Sequence, residues 1–122
     1  MAKQKILLVE DSDAMRAMLR DRLENAGFSV VEAPDGEAGL AVAAAERPDL
    51  ILSDIMMPTL DGIGFCRRIK ADALLKHIPV IFITVKAQDK DIKEGYAAGA
   101  DGYITKPYEI EVVIGEIKKH LG

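Results

Sequence analysis

Five times along its 122 residues this chain passes from a short apolar run into a longer stretch with helical spacing. That alternation restricts the fold more than any other feature. Lys5–Val9, Phe28–Ala33, Leu50–Ser53, Val80–Ile83 and Gly102–Thr105 have strand length, and the central ones are apolar at successive positions, as strands buried on both faces are. After the first run, Asp11, Ser12 and Asp13 offer helix caps. Met15, Met18, Leu19, Arg22, Leu23 and Ala26 then follow helical spacing, and Gly27 stops the helix. Pro34-Asp35-Gly36 is a turn, with Asp35 the cap of an Ala-rich helix over 37–46 that Pro48 closes. Ile63–Ala71 and Asp89–Ala98 read as further helices, the latter carrying Gly95 at a cost of about 1 kcal/mol relative to Ala. Ile110, Val113, Ile114, Ile117 and Leu121 form the apolar stripe of a fifth. Successive parallel strands need crossover helices, and these are right-handed. The expectation is one α/β domain over 1–122: an open, doubly wound parallel sheet, which binds ligands outside the carboxyl ends of its strands.

Polar residues stand where the runs end. Glu10 and Asp11 follow the first, Asp54 the third, Thr84 the fourth and Lys106 the last. In a parallel sheet these share one edge. Three acids, a hydroxyl and an amine at one point make a site for a hard cation and a phosphoryl group. Mg²⁺ takes oxygen ligands, keeps several waters and is commonly held by one or two carboxylates plus phosphate oxygens. Without a cation the acids would repel, and one would tend to protonate. Asp54 follows a buried run, and carboxylates form aspartyl-phosphate intermediates. Phosphoryl transfer needs chiefly positioning and charge neutralisation on the equatorial oxygens. Neither histidine, His77 nor His120, lies near a strand end, so a conventional hydrolase has no evident general base; both read as solvent residues.

Composition excludes several classes. No apolar run approaches the ~20 residues of a membrane span, and the N-terminus lacks a secretory pattern. One cysteine, Cys66, rules out an internal disulfide framework, suits a reducing compartment and fits a core spacing with Ile63 and Ile69. A net charge of −4, with basic residues scattered among acids, argues against direct nucleic-acid binding. The expectation is a cytoplasmic protein without membrane attachment. Met56-Met57 reads as loop packing, and Lys118-Lys119 as a complement to a helix dipole.

The segments Ile6-Leu7-Leu8-Val9-Glu10-Asp11, Pro48 through Pro58, Asp61-Gly62, Ile83-Thr84 and Gly99 through Pro107 carry a resemblance. In this order, each at a strand end, they make the chain similar to a response-regulator receiver domain of two-component signalling over essentially its whole length. The resemblance implies a flavodoxin-like (βα)5 fold with strand order 2-1-3-4-5. It implies that Asp54 accepts phosphate from a sensor histidine kinase or a histidine phosphotransfer protein. Asp11, Asp54 and the Met56 carbonyl would ligate Mg²⁺, with Glu10 acting through water. Lys106 would pair with the phosphoryl group ahead of a cis bond to Pro107, Thr84 would move toward the phosphate, and Tyr103 would turn inward behind it. That couples the site to a protein-binding surface on the fourth helix, fifth strand and fifth helix, in a monomer or a weak phosphorylation-dependent dimer. On this reading the protein is no enzyme beyond its own phosphorylation and dephosphorylation, and the output partner is unnamed.

Glu10 stands where the family commonly has Asp. Val85, β-branched, stands where a small residue is usual and would narrow access; Met56 and Lys86 occupy positions that vary with dephosphorylation rate. A Mg²⁺-dependent small-molecule phosphohydrolase using Asp54 is an alternative, as is a pseudo-receiver that binds without phosphate. A flavodoxin-like cofactor binder is another, but Glu10-Asp11-Ser12-Asp13 would repel its phosphate.

Overall fold

A computed structural model describes residues 3–121; Met1, Ala2 and Gly122, the outermost residues of the expected domain, lie outside it. Strands and helices alternate strictly: β1 Lys5–Val9, α1 Asp13–Asn25, β2 Ser29–Ala33, α2 Gly36–Glu46, β3 Leu50–Ser53, α3 Gly62–Ala71, β4 Val80–Thr84, α4 Asp89–Ala97, β5 Gly102–Thr105 and α5 Ile110–Leu121. All ladders are parallel, and the sheet order is β2-β1-β3-β4-β5, as the resemblance implies.

Alternation of side chains along each strand divides the core in two. Leu7, Val9, Ile51, Val80 and Phe82 face one cluster with Ala43 of α2 and Phe65, Cys66 and Ile69 of α3. Ile6, Leu8, Leu50, Leu52, Ile81 and Ile83 face the other, with Leu19 and Leu23 of α1 and Val113 and Ile117 of α5. A fully buried side chain of this size contributes roughly 1.5–3 kcal/mol. Both faces of β1, β3 and β4 are therefore sealed, and only the strand ends and loops are left for chemistry. No helix of the described residues is long and apolar enough to cross a membrane.

The caps follow the sequence closely. The Ser12 hydroxyl accepts from the Met15 N–H at 3.3 Å, Asp35 from Ala38 at 2.8 Å, and Asp61 from Gly64 at 2.9 Å. Three details differ from expectation. Phe28 precedes β2 rather than opening it: its N–H caps α1 on the Leu23 carbonyl and its buried ring packs on the α1 face. Thr84 belongs to β4, in register with Thr105. His120 is half-buried on α5, its Nε2 3.5 Å from Glu116 Oε2, because the helix turns it inward; His77 is exposed, as expected. Gly95 has a packing reason. A Cβ there would stand 2.9 Å from the Tyr103 ring, so glycine lets α4 close on β5.

Candidate functional site

Glu10 continues from β1, its N–H donating to the Ala33 carbonyl at 3.1 Å before the chain leaves the sheet. Asp54 follows β3, its N–H donating to the Val9 carbonyl at 3.0 Å. Lys106 follows β5, its N–H donating to the Thr84 carbonyl at 2.8 Å. Each residue is thus held by the last rung of the ladder beside it. Glu10 and Asp54 are buried polar residues, as is Thr84.

The Lys106 ammonium joins the two acids. Its Nζ donates to Asp54 Oδ2 at 2.8 Å and to Glu10 Oε1 at 2.9 Å. The other oxygens are also occupied: Asp54 Oδ1 accepts from the N–H groups of Ile55 at 2.6 Å and Met56 at 3.2 Å, and Glu10 Oε2 from Ser12 at 3.0 Å. Burial pushes the Glu10 carboxyl above its ordinary value, and the Ser12 and Lys106 bonds only partly offset this. Burial would lower the Lys106 ammonium, but hydrogen bonds to Asp54 and Glu10 hold it above its ordinary value. Lys106 is therefore charged and neutralises a pair of acids that would otherwise repel. Its peptide bond to Pro107 is cis.

The remaining predicted residues lie around this triad. Asp11 is exposed and, with Met56 and Lys86, lines an open cleft beside Asp54. The Thr84 hydroxyl accepts from the Lys86 N–H at 3.3 Å and, among the described residues, makes no hydrogen bond to Asp54 or Lys106. Tyr103 is half-buried, its hydroxyl donating to the Lys86 carbonyl at 2.7 Å, and burial pushes its phenol up to about 12. Val85 and Met56 are exposed at 61% and 54%; Val85 lines a groove with Lys106, and Met56 lines the cleft with Asp11. Cys66 is buried in the core, as its spacing predicted.

Gly62 keeps the Asp54 loop in place. A Cβ there would collide with the Asp54 carbonyl oxygen, and the Gly62 N–H donates to the Ile55 carbonyl at 2.8 Å. Sequence reasoning missed one residue altogether. Arg16 of α1 donates from Nη1 to the Glu10 carbonyl at 2.6 Å. The only signal was an arginine one turn into a helix that follows two acids.

Among the described residues no three His, Cys, Asp or Glu side chains are grouped closely enough to hold a metal by themselves. Mg²⁺ does not require such a cage. Two carboxylates, a backbone carbonyl and waters suffice, and the Met56 carbonyl accepts no protein hydrogen bond among the described residues. The oxygen-only donor set and its surplus of acid fit that ion.

The family model of the response regulator receiver domain matches residues 6–118. The chain belongs to the response-regulator receiver family. This receiver is 42% identical over 113 residues to the transcriptional regulatory protein CseB of Streptomyces coelicolor, covering 93% of this chain and 47% of the relative. It is 38% identical over 115 residues to the alkaline phosphatase synthesis regulatory protein PhoP of Bacillus subtilis, covering 94% and 47%. The receiver chain thus spans about half the length of these curated relatives. Among solved structures it is similar to the chemotaxis response regulator CheY4 of Vibrio cholerae, with TM-score 0.92, 32% identity and coverage of 98% and 100%. It is also similar to the receiver domain of a sensor histidine kinase from Pseudomonas aeruginosa, with TM-score 0.92, 30% identity and 99% of both chains covered. That structure has a magnesium ion coordinated in its active-site cleft.

Proposed function

We propose that residues 1–122 form one receiver domain in which Asp54 takes a phosphoryl group from a phosphohistidine. The donor is a sensor histidine kinase or a histidine phosphotransfer protein. The observation that carries this reading is the bridge from Lys106 to both Asp54 and Glu10. It sets a buried carboxylate, the nucleophile, directly against the positive charge that phosphoryl oxygens need.

An Asp54 carboxylate oxygen forms the bond to phosphorus as the bond from phosphorus to the histidine nitrogen breaks. The Asp54 Oδ1 bonds to two main-chain N–H groups fix the carboxylate plane for that approach. The Lys106 ammonium transfers its donors from the Asp54 carboxylate to phosphoryl oxygens, and the Thr84 hydroxyl donates to another. Asp11, Asp54 and the Met56 carbonyl would hold Mg²⁺, with Glu10 acting through water; when bound, the ion neutralises charge on the acids and phosphoryl oxygens.

Thr84 and Tyr103 are the switch. Thr84 and the Tyr103 hydroxyl meet at Lys86, one at its N–H and the other at its carbonyl. Movement of Thr84 toward a phosphoryl group therefore pulls on the loop that holds Tyr103, and through Gly95 on α4. The output is a changed protein-binding surface over α4, β5 and α5, read by a partner protein. The protein is a monomer or a weak phosphorylation-dependent dimer.

Acetyl phosphate with Mg²⁺ tests this directly, followed by intact-mass analysis. One phosphoryl group should appear on the wild-type chain and none on Asp54→Asn. Phosphate retained by Asp54→Asn would sink the assignment. Continuous turnover of the donor would favour a phosphohydrolase instead.

A further inference from the structure

Arg16, on α1 beside the strand ends, is engaged by every nitrogen of its guanidinium. Its side chain is 16% exposed and its three nitrogens serve three elements. Nη1 donates to the Glu10 carbonyl at 2.6 Å, Nε to Glu32 on β2 at 3.2 Å, and Nη2 to Asp13 at the start of α1 at 2.6 Å. Arg20 holds the second oxygen of Glu32 at 2.7 Å. A planar guanidinium can bridge three acceptors in fixed directions; a lysine cannot.

The Glu10 carbonyl is the first beyond β1 and the first that the sheet no longer serves, since the preceding Val9 carbonyl accepts from Asp54. Arg16 supplies the missing donor from six residues ahead, as a charge-assisted bond. That bond fixes the peptide plane between Glu10 and Asp11. Every other polar group of Glu10 already has a protein partner: its N–H on Ala33, its carboxylate on Ser12 and Lys106. Asp11 is different. Among the described residues no ion pair holds its exposed carboxylate, which lies beside the Glu10 carboxyl, so the main chain between the two residues sets its aim into the cleft.

We propose that Arg16 is a positioning residue for cation binding: it locks the Glu10–Asp11 peptide so that Asp11 presents its carboxylate to Mg²⁺. This rests on the receiver reading of the site. Groups that orient metal ligands typically change affinity by about 10–100-fold when removed.

The test is titration of the folded full chain with Mg²⁺ alone, by calorimetry and by amide NMR shifts of residues 10–12. Arg16→Ala should weaken binding about tenfold. Arg16→Lys, which keeps the charge and guards against a misfolded alanine variant, should weaken it by at least about threefold. Arg20→Ala, which removes a neighbouring cation from Glu32 but leaves the Glu10 carbonyl bond intact, should bind as wild type. Thermal melts of all four proteins separate lost stability from lost affinity. Wild-type affinity in both Arg16 variants, or an equal loss in Arg20→Ala, would overturn the inference alone. A wild-type chain that binds no Mg²⁺ would overturn the receiver-site reading and this inference with it.

Discussion

The Tyr103 hydroxyl donates to the Lys86 carbonyl across 2.7 Å, tying β5 to the loop that follows β4. The same ring lies edge-on to Phe82 at 6.1 Å and covers Gly95 of α4. One side chain therefore connects the loop beside the site, the sheet and the helix proposed to carry the output.

Tyr103→Phe keeps the ring and removes this bond. It should cost about 1 kcal/mol in urea unfolding, and amide exchange at residues 85–88 should accelerate. Unchanged exchange there would mean that the hydroxyl does not order the loop.

Lys106→Met leaves two buried acids facing each other without their cation, and should cost about 3 kcal/mol at pH 7. The folded ammonium lies above its ordinary value of 10.5. Its contribution is thus fully present below 10.5 and is lost as pH rises through the folded value. The stability gap between wild type and variant should stay constant from about pH 7 to 9 and close above 10.5, read by urea unfolding at each pH. A gap that persists at high pH would assign the effect to packing of the side chain.

Glu10 has the same sign of pH dependence as Lys106, but its window lies below neutrality. Its folded carboxyl lies above the ordinary 4.5, so its favourable term is present below 4.5 and lost as pH rises through the folded value. Ionised Glu10 therefore opposes folding at pH 7. In EDTA, Glu10→Gln should melt higher than wild type, by roughly 4 °C for each kcal/mol relieved. Millimolar Mg²⁺ should raise the wild type more than the variant. A variant that melts lower in EDTA would show that the Lys106 and Ser12 bonds outweigh the desolvation of Glu10.

Thr59 sits at φ 65°, a left-handed conformation that strains a β-branched residue, in the loop between Asp54 and α3. Asn tolerates that region, so Thr59→Asn should stabilise the fold by about 1 kcal/mol. Urea unfolding reads this directly. No gain would mean that the Thr59 hydroxyl bond to the Pro58 carbonyl, at 2.6 Å, offsets the strain.

Local pattern determined much of this protein. Apolar runs of four or five residues, capping residues such as Asp35 and Asp61, and polar groups at strand ends are all short-range features, because strand and helix periodicities act over a few residues. The sequence by itself therefore delivered the order of elements and the sheet edge at which the candidate residues Glu10, Asp11, Asp54, Thr84 and Lys106 stand. Tertiary structure alone decided how those groups pair. Lys106 could have faced solvent; it bridges Glu10 and Asp54 because β1, β3 and β5 end at one level of the sheet, with separations of 96 and 52 residues. Gly95 looked like a helix defect until Tyr103 lay across it. Arg16 carried only a weak local signal, since its acceptors after β1 and on β2 come together only once α1 packs on the sheet. Propensity is encoded within a turn or a strand; the partner of a charge is set by whatever the folded chain brings within hydrogen-bond reach.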